Sequence, residues 1–146
     1  MFNLIESLER KIGGKNSGSK AFVWLLSDPG MRLLHLNSSG SVPRKFFYEP
    51  SPAFLNHTLA VSETFLRITE ICKKHKPELR QAVTEPSCWR NYKGSDGKAT
   101  ALKPDLYAVI RNGEYEDNWF IEVDLATEAP CVVLEKCERY VAYHKD

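Results

Sequence analysis

The chain has 146 residues, of which 42% are hydrophobic and 27% charged, with a formal net charge of +1. That composition is ordinary for a folded globular domain and excludes a disordered tail. No apolar run is long enough to cross a membrane, and Glu6 and Glu9 stand where a signal peptide needs a basic start, so we expect a cytoplasmic protein. The charge is divided, since residues 1–102 are net basic and residues 103–146 are net acidic.

The first 36 residues predict a helix, a loop and a strand. Residues 2–12 repeat apolar side chains at helical spacing, which predicts a short amphipathic helix. Residues 15–20 predict a flexible basic loop, residues 21–26 a strand, and Asp28-Pro29-Gly30 a turn. This order is similar to the last helix and wing of a winged-helix domain, and the alternative is a helical arm packed on the main domain. In the first interpretation four basic side chains would contact the DNA backbone: Arg10, Lys11, Lys15 and Lys20.

A linker and a long helix are predicted next. Residues 37–51 are rich in serine, proline and glycine, which indicates a linker between the two parts of the chain. Ser51 followed by Pro52 is a good helix start, and apolar residues then recur on one face. The residues of that face are Val61, Phe65, Ile68 and Cys72. His57 lies at the start of this helix, and its role stays open between capping, packing and ligation.

The region after that helix predicts one strand, a loop and, further on, a last helix. The strand is expected within residues 81–92 and includes Trp89, and residues 93–98 are expected to form a flexible loop. Thr127 is a plausible N-cap for the last helix, and Pro130 is tolerated in its first turn. The four cysteines lack a C-x-x-C pair and zinc-ribbon spacing, so we expect small buried hydrophobic residues: Cys72, Cys88, Cys131 and Cys137.

Between these segments, two apolar runs at residues 105–111 and 119–125 predict a β-hairpin with a glycine-containing loop. A hairpin turns back on itself, so Asp105 should meet Glu122 and Asp124 at one end. Three converging carboxylates repel one another unless a cation, a raised pKa or solvent relieves them, and Mg²⁺ accepts such an oxygen set. The functional interpretation is therefore a metal-dependent phosphodiester site with Asp105, Glu122 and Asp124 as metal ligands. The alternative is that these acids merely end strands and cap the following helix.

The order of several short strings resembles the replication-relaxation family, DNA-associated proteins of bacterial plasmids, phages and integrative elements. In the second half these strings are Pro104-Asp105, Glu122-Val123-Asp124, Thr127-Glu128, Lys136 and Tyr140. Upstream they are the Gly13–Ser19 stretch, Phe22-Val23-Trp24-Leu25-Leu26, Gly30 and the Ser51–Val61 stretch. The resemblance implies a winged-helix DNA-binding domain followed by a domain similar to the PD-(D/E)XK nucleases.

On that basis the expected fold class is α+β, with a three-stranded, mainly antiparallel sheet between helices. The domains would be a partial winged-helix segment at 1–36, a linker at 37–51 and a nuclease-like core at 52–146 that lacks its last strand. Such a sheet leaves an edge unpaired, which favours a homodimer or a fragment of a longer product.

The chain departs from the nuclease pattern at one position, because Asp124 stands where the superfamily has a lysine. That lysine normally helps to activate the attacking water and stabilises negative charge. Lys136, from the following helix, is the candidate replacement, so the catalytic candidates are Asp105, Glu122, Asp124 and Lys136. Glu63 is a further candidate acid, although its spacing from Arg67 favours a surface ion pair.

Three functions follow from the sequence. The preferred one is a DNA-binding protein of a mobile genetic element, active in plasmid replication, relaxation or transfer, whose nuclease-like domain does not cut. The second is a Mg²⁺-dependent endonuclease, and the third is a protein-interaction module for replication or transfer factors without DNA contact.

Overall fold

The computed structural model describes residues 3–8, 22–36, 51–94 and 97–145, which fall into two compact units. The first unit covers Met1–Pro50 and the second Ser51–Asp146. The predicted linker lies outside the described residues except for Ser51. So do the basic loop at 15–20 and the proposed DNA contacts Arg10, Lys11, Lys15 and Lys20.

The N-terminal unit contains a two-stranded antiparallel sheet and one short helix. Strand β1 (Ile5–Ser7) pairs with β2 (Trp24–Leu26), so that Ile5 lies opposite Leu26. The helix predicted for residues 2–12 is therefore wrong within the described residues. The segment is so short that its apolar pattern fits a helix or a strand, and pairing with the distant strand β2 makes it a strand.

Helix α1 (Asp28–Leu34) occupies the place where a turn was predicted. Ser27 is its N-cap, and the Ser27 hydroxyl accepts a hydrogen bond from the Gly30 backbone N–H at 3.2 Å. Pro29 sits in the first turn, where its missing N–H costs nothing. Gly30 also permits a close backbone approach, because an added Cβ would lie 2.1 Å from the carbonyl oxygen of Leu4. The turn prediction was wrong because serine, aspartate and proline in this order are also a helix-start signal.

The C-terminal unit begins with α2 (Pro52–His75), and this confirms the predicted long helix. The Ser51 hydroxyl accepts from the Phe54 backbone N–H at 3.3 Å, and Lys76 ends the helix in a left-handed conformation with φ 70°. Its buried side chains are Leu55, Val61 and Cys72. Glu63 forms the expected surface ion pair with Arg67, at 2.8 Å.

A three-stranded antiparallel sheet in the order β3-β6-β7 confirms the expected α+β fold class. Its strands are β3 (Glu78–Thr84), β6 (Leu106–Asn112) and β7 (Tyr115–Ile121). The predicted hairpin is thus present, but its turn is only Gly113 and Glu114, and its second strand begins at Tyr115 rather than at the predicted residue 119. Gly113 has φ +63°, a value that glycine adopts without steric cost.

A second hairpin was missed by the sequence analysis. It consists of β4 (Arg90–Lys93) and β5 (Ala99–Leu102), which pair antiparallel. The single strand predicted within residues 81–92 is wrong, because β3 ends at Thr84 and a turn precedes β4. Pro86 offers no N–H to a ladder, which explains the break. Trp89 consequently lies outside the strands.

Helix α3 (Pro130–Lys145) contacts β4 and β7 through aromatic side chains. Tyr143 meets Tyr92 and Phe120 edge to face, with ring centroids 5.5 and 5.6 Å apart. The helix begins three residues after Thr127, so Thr127 is not its N-cap and that prediction was wrong. No helix in the described part of the chain is long and apolar enough to cross a membrane.

The core of this unit lies around β6, where Leu106 and Ala108 are fully buried. Cys72 and Cys88 are buried, as predicted, whereas Cys131 and Cys137 on α3 are exposed. The exposed pair contradicts the expectation that all four cysteines are buried. Helix α3, which carries both cysteines, buries only part of its apolar surface, and none of its described residues is classed as buried.

Candidate functional site: a carboxylate rung across the sheet

Three acidic residues lie side by side at one end of the three-stranded sheet: Glu85, Asp105 and Glu122. Asp105 directly precedes β6, while Glu85 and Glu122 directly follow β3 and β7. Backbone bonds continue the ladder to this level, since the Glu85 N–H donates to Asp105 at 3.1 Å and the Asp105 N–H donates to Ile121 at 3.1 Å. We call these three residues the carboxylate rung. Because antiparallel neighbours stand on one face, like charges here are close together.

Asp105, in the middle of the rung, is the most enclosed of the three, at 8% exposure. Its Oδ1 lies 3.0 Å from Nε2 of His57, which α2 supplies from its second turn. Its Oδ2 accepts a hydrogen bond from the Val123 backbone N–H at 2.7 Å. One carboxylate therefore connects β6 to α2 and to the segment that follows β7.

Glu122 is held by two side chains of α3. Tyr140 donates its hydroxyl proton to Oε1 at 2.6 Å, and Lys136 Nζ lies 3.1 Å from Oε2. Burial, the hydrogen bond to Glu122 and the negative charge of that carboxylate together raise the pKa of Tyr140 well above its usual range. Tyr140 therefore stays protonated and acts as a donor at neutral pH.

Lys136 bridges Glu122 to a second carboxylate, that of Glu128. Its Nζ lies 2.7 Å from Oε1 of Glu128. Burial lowers the pKa of Lys136, but the hydrogen bonds to Glu128 and Glu122 outweigh burial and raise it above its ordinary value. The lysine is therefore firmly cationic. The other oxygen of Glu128, Oε2, is buried and has no hydrogen-bond partner in the described residues.

Asp124 is placed differently from the other predicted site residues. It is exposed, and its Oδ1 accepts a hydrogen bond from the Thr127 backbone N–H at 3.3 Å, closing a local turn. Among the described residues, the group whose ligand atoms all lie within 4.8 Å of one another is instead His57, Glu85 and Asp105. The assignment of Asp105, Glu122 and Asp124 as joint metal ligands, and of Lys136 as their catalytic partner, stays a prediction.

Two residues of this arrangement were not selected from the sequence. His57 was noted at the start of α2 with its role open, and its spacing from Asp105 gave no sign that they would meet. Glu85 was not noted at all. No sequence motif marks Glu85, because its place beside Asp105 depends on the pairing of β3 with β6.

The arrangement has two chemical capacities. The His57, Glu85 and Asp105 group combines an imidazole nitrogen with carboxylate oxygens, which is a metal-ligand set. The second group consists of Lys136, Tyr140 and Glu122. Its cation and its hydroxyl lie beside the carboxylate, and together they stabilise negative charge close to the sheet.

The fold and the site together define a class of protein, an α+β unit with a carboxylate rung at the end of an antiparallel sheet. The family model described as replication-relaxation matches residues 2–146. The chain belongs to the replication-relaxation family, which confirms the resemblance found in the sequence and suggests a role in the replication or relaxation of a plasmid or another mobile element. No curated protein and no solved structure matched the chain.

Proposed function

We propose that this protein binds the DNA of a plasmid or another mobile element in the bacterial cytoplasm, and that its nuclease-like domain does not cut. One observation carries the second half of the proposal. The two best-placed carboxylates of the expected nuclease site, Asp105 and Glu122, are each held by partners from their own chain.

The contacts of these two carboxylates support a structural role. Asp105 uses one oxygen for His57 and the other for the Val123 N–H. Glu122 uses one oxygen for Tyr140 and the other for Lys136. A catalytic Mg²⁺ shared by Asp105 and Glu122 binds carboxylate oxygens at about 2.1 Å, and on the β7 side of the rung it would compete with the contacts from Val123, Tyr140 and Lys136. The acids thus fasten α2, α3 and β7 to the sheet.

DNA contact is proposed for the basic N-terminal region. Residues 1–50 are net basic, and Arg10, Lys11, Lys15 and Lys20 are grouped within eleven positions. Clustered lysines and arginines neutralise phosphates and release counterions, which binds DNA without reading its sequence.

The experiment is fluorescence anisotropy of labelled duplex and branched DNA over a salt series. We expect Lys15→Ala/Lys20→Ala to weaken binding to all sequences about equally and to lower the salt slope by roughly one per lost phosphate contact. The matched control is Lys73→Ala/Lys74→Ala on α2, which removes the same charge from the other unit. If neither DNA binds at low salt, the proposal is wrong and a protein-interaction module remains.

A second candidate, a Mg²⁺-dependent endonuclease, is favoured by one specific observation. Lys136 Nζ reaches within 3.1 Å of Glu122, so α3 supplies a lysine to the acid that the nuclease pattern pairs with one. Sampling the binding reactions for cleavage, with Mg²⁺ and with Asp105→Asn in parallel, tests this directly. Cleavage by the unmodified protein alone would replace the non-catalytic proposal with this one.

We further propose that the protein forms a homodimer or contacts replication or transfer proteins through the free edge of β7. In the described part of the chain, β7 pairs only with β6. An edge strand offers a row of unpaired backbone groups to another strand. Analytical ultracentrifugation over a concentration series tests the dimer, and a monomer throughout would refute it.

A further inference from the structure

We infer that His57, Glu85 and Asp105 form a binding site for a divalent metal ion of the Mn²⁺ or Zn²⁺ class. This site differs from the Mg²⁺ site expected from the sequence, because it uses an imidazole and lies on the β3 side of Asp105 rather than on the β7 side. It does not depend on the proposed DNA-binding function.

The charges of Glu85 and Asp105 favour a bound cation. Glu85 and Asp105 are direct neighbours on the ladder, and their ligand atoms lie within 4.8 Å. Like charges opposite each other destabilise a sheet, and the low exposure of Asp105 reduces the screening by water. A cation bound between the two acids relieves this repulsion.

The negative charges on the two sides of the rung are compensated differently. On the β7 side, Glu122 has a lysine and a tyrosine. On the β3 side, Glu85 makes no side-chain hydrogen bond or ion pair with any described residue, and its exposed carboxylate can rotate towards Asp105. On this side of the rung no lysine or arginine of the described residues pairs with the two acids, and the group that meets them is the His57 imidazole.

The distances between the three side chains also suit a metal ion. Two ligands that bind one ion at about 2.1 Å each stand roughly 3 to 4 Å apart. His57 Nε2 and Asp105 Oδ1 are 3.0 Å apart, which falls in that range. The carboxylate oxygen of Glu85 lies within 4.8 Å of both atoms, so only a small movement of Glu85 is needed to bring it into the range. Backbone pairing fixes Glu85 beside Asp105, so the ligands come from preformed elements. Water would complete the coordination.

The ligand types select the ion. Imidazole nitrogen suits first-row transition metals, whereas Mg²⁺ prefers oxygen ligands and retains its water. Zn²⁺ would also bind the exposed thiols of Cys131 and Cys137. Mn²⁺ discriminates better, since it accepts carboxylate and imidazole but has little affinity for thiols.

The test is a Mn²⁺ titration of the untagged full chain, without DNA, by isothermal titration calorimetry and by NMR. We expect one ion per chain, with paramagnetic broadening greatest for the imidazole of His57 among the four histidines. Glu85→Gln should weaken Mn²⁺ binding tenfold or more, because losing even an outer-shell partner costs that much. Glu114→Gln, at the exposed hairpin turn, is the matched control and should leave affinity unchanged.

His57→Gln provides the second variant, and circular dichroism verifies that each variant is folded. We expect Mn²⁺ to bind more tightly than Mg²⁺, with the preference largely lost in His57→Gln. Absence of saturable Mn²⁺ binding would overturn the inference, as would binding that Glu85→Gln leaves intact. Binding that depends on Glu122 but not on His57 would also overturn it, and would place the ion at the site expected from the sequence.

Discussion

Replacing Lys136 by methionine removes the cation that joins two acidic side chains while keeping most of the apolar stem. Two contacts disappear, one of 2.7 Å to Glu128 and one of 3.1 Å to Glu122. Both carboxylates then stand close together without a positive charge between them. The buried Oε2 of Glu128 already lacks a hydrogen-bond partner among the described residues, so that group has little means of compensation.

The expected loss of stability follows from the intermediate burial of this bridge. An exposed ion pair contributes about 0.2 to 1 kcal/mol, and breaking a buried pair costs about 3 to 5 kcal/mol. Lys136 and Glu128 are each 30% exposed and Glu122 is 25% exposed. We therefore expect Lys136→Met to lower the free energy of unfolding by about 2 kcal/mol.

Urea denaturation followed by circular dichroism measures this loss. With a slope of about 1 to 3 kcal/mol per molar urea, the midpoint should fall by about 1 M at constant slope. Lys73→Met, at an exposed position of α2, is the matched control and should change stability by less than about 0.5 kcal/mol. A double-mutant cycle of Lys136→Met with Glu128→Gln should give a coupling of roughly 1 kcal/mol.

The refuting result is a loss for Lys136→Met no larger than that of the Lys73 control. It would mean that the bridge does not fasten α3 to the sheet. A coupling near zero with a large single-variant loss would instead attribute the effect to the stem of Lys136, and the electrostatic reasoning would be wrong.

Three more predictions concern ionisation, the core and a close backbone approach. The pKa of Tyr140 is raised in the folded state, so its contribution to stability is fully present below pH 10 and decreases as the pH rises above 10. Urea midpoints measured at pH 8 and above check this decrease, and Tyr140→Phe should remove the part of it that is due to Tyr140. Leu106→Ala should cost about 2 to 5 kcal/mol because Leu106 is fully buried, whereas the same change at Leu134, 64% exposed, should cost less than about 0.5 kcal/mol by urea denaturation. Gly30→Ala should displace Leu4 and shift the NMR amide signals of β1 and β2 while leaving those of β6 unchanged, and unshifted strand signals would contradict the close approach.

Local signals account for the elements that were predicted correctly. Ser51 and Pro52 carry the start of α2 within two residues, and the glycine-containing polar stretch marks the β6–β7 hairpin. The same kind of signal at Ser27 was interpreted as a turn, because proline and glycine next to an aspartate suit both structures. Short segments are therefore ambiguous even when their residues are informative.

The N-terminal strands could not be predicted locally. Ile5 belongs to β1 because Leu26 lies opposite it, and nothing within residues 2–12 identifies that partner. The apolar spacing of this segment satisfies a helix equally well. The choice depended on tertiary pairing, which sequence periodicity does not contain.

The site was predictable to the extent that a hairpin determines it. Pairing of β6 with β7 brings Asp105 beside Glu122, and that juxtaposition follows from the sequence. Lys136 reaching Glu122 depended on the position of α3, and the meeting of His57 with Asp105 depended on how α2 packs. Glu85 joined the rung because β3 pairs with β6, an arrangement that no motif in the chain signals.

The contacts of Asp105 also bear on how the chain matures during synthesis. The His57 contact spans 48 positions and the Val123 contact spans 18. Long-range contacts of this kind form only after the intervening loops have closed. His57 precedes Asp105 in the chain, whereas Val123 follows it, so on the ribosome the contact to Val123 forms only after β7 and the segment behind it have left the exit tunnel. A nascent chain that ends before Glu122 therefore lacks the complete rung, although it already contains the residues His57, Glu85 and Asp105.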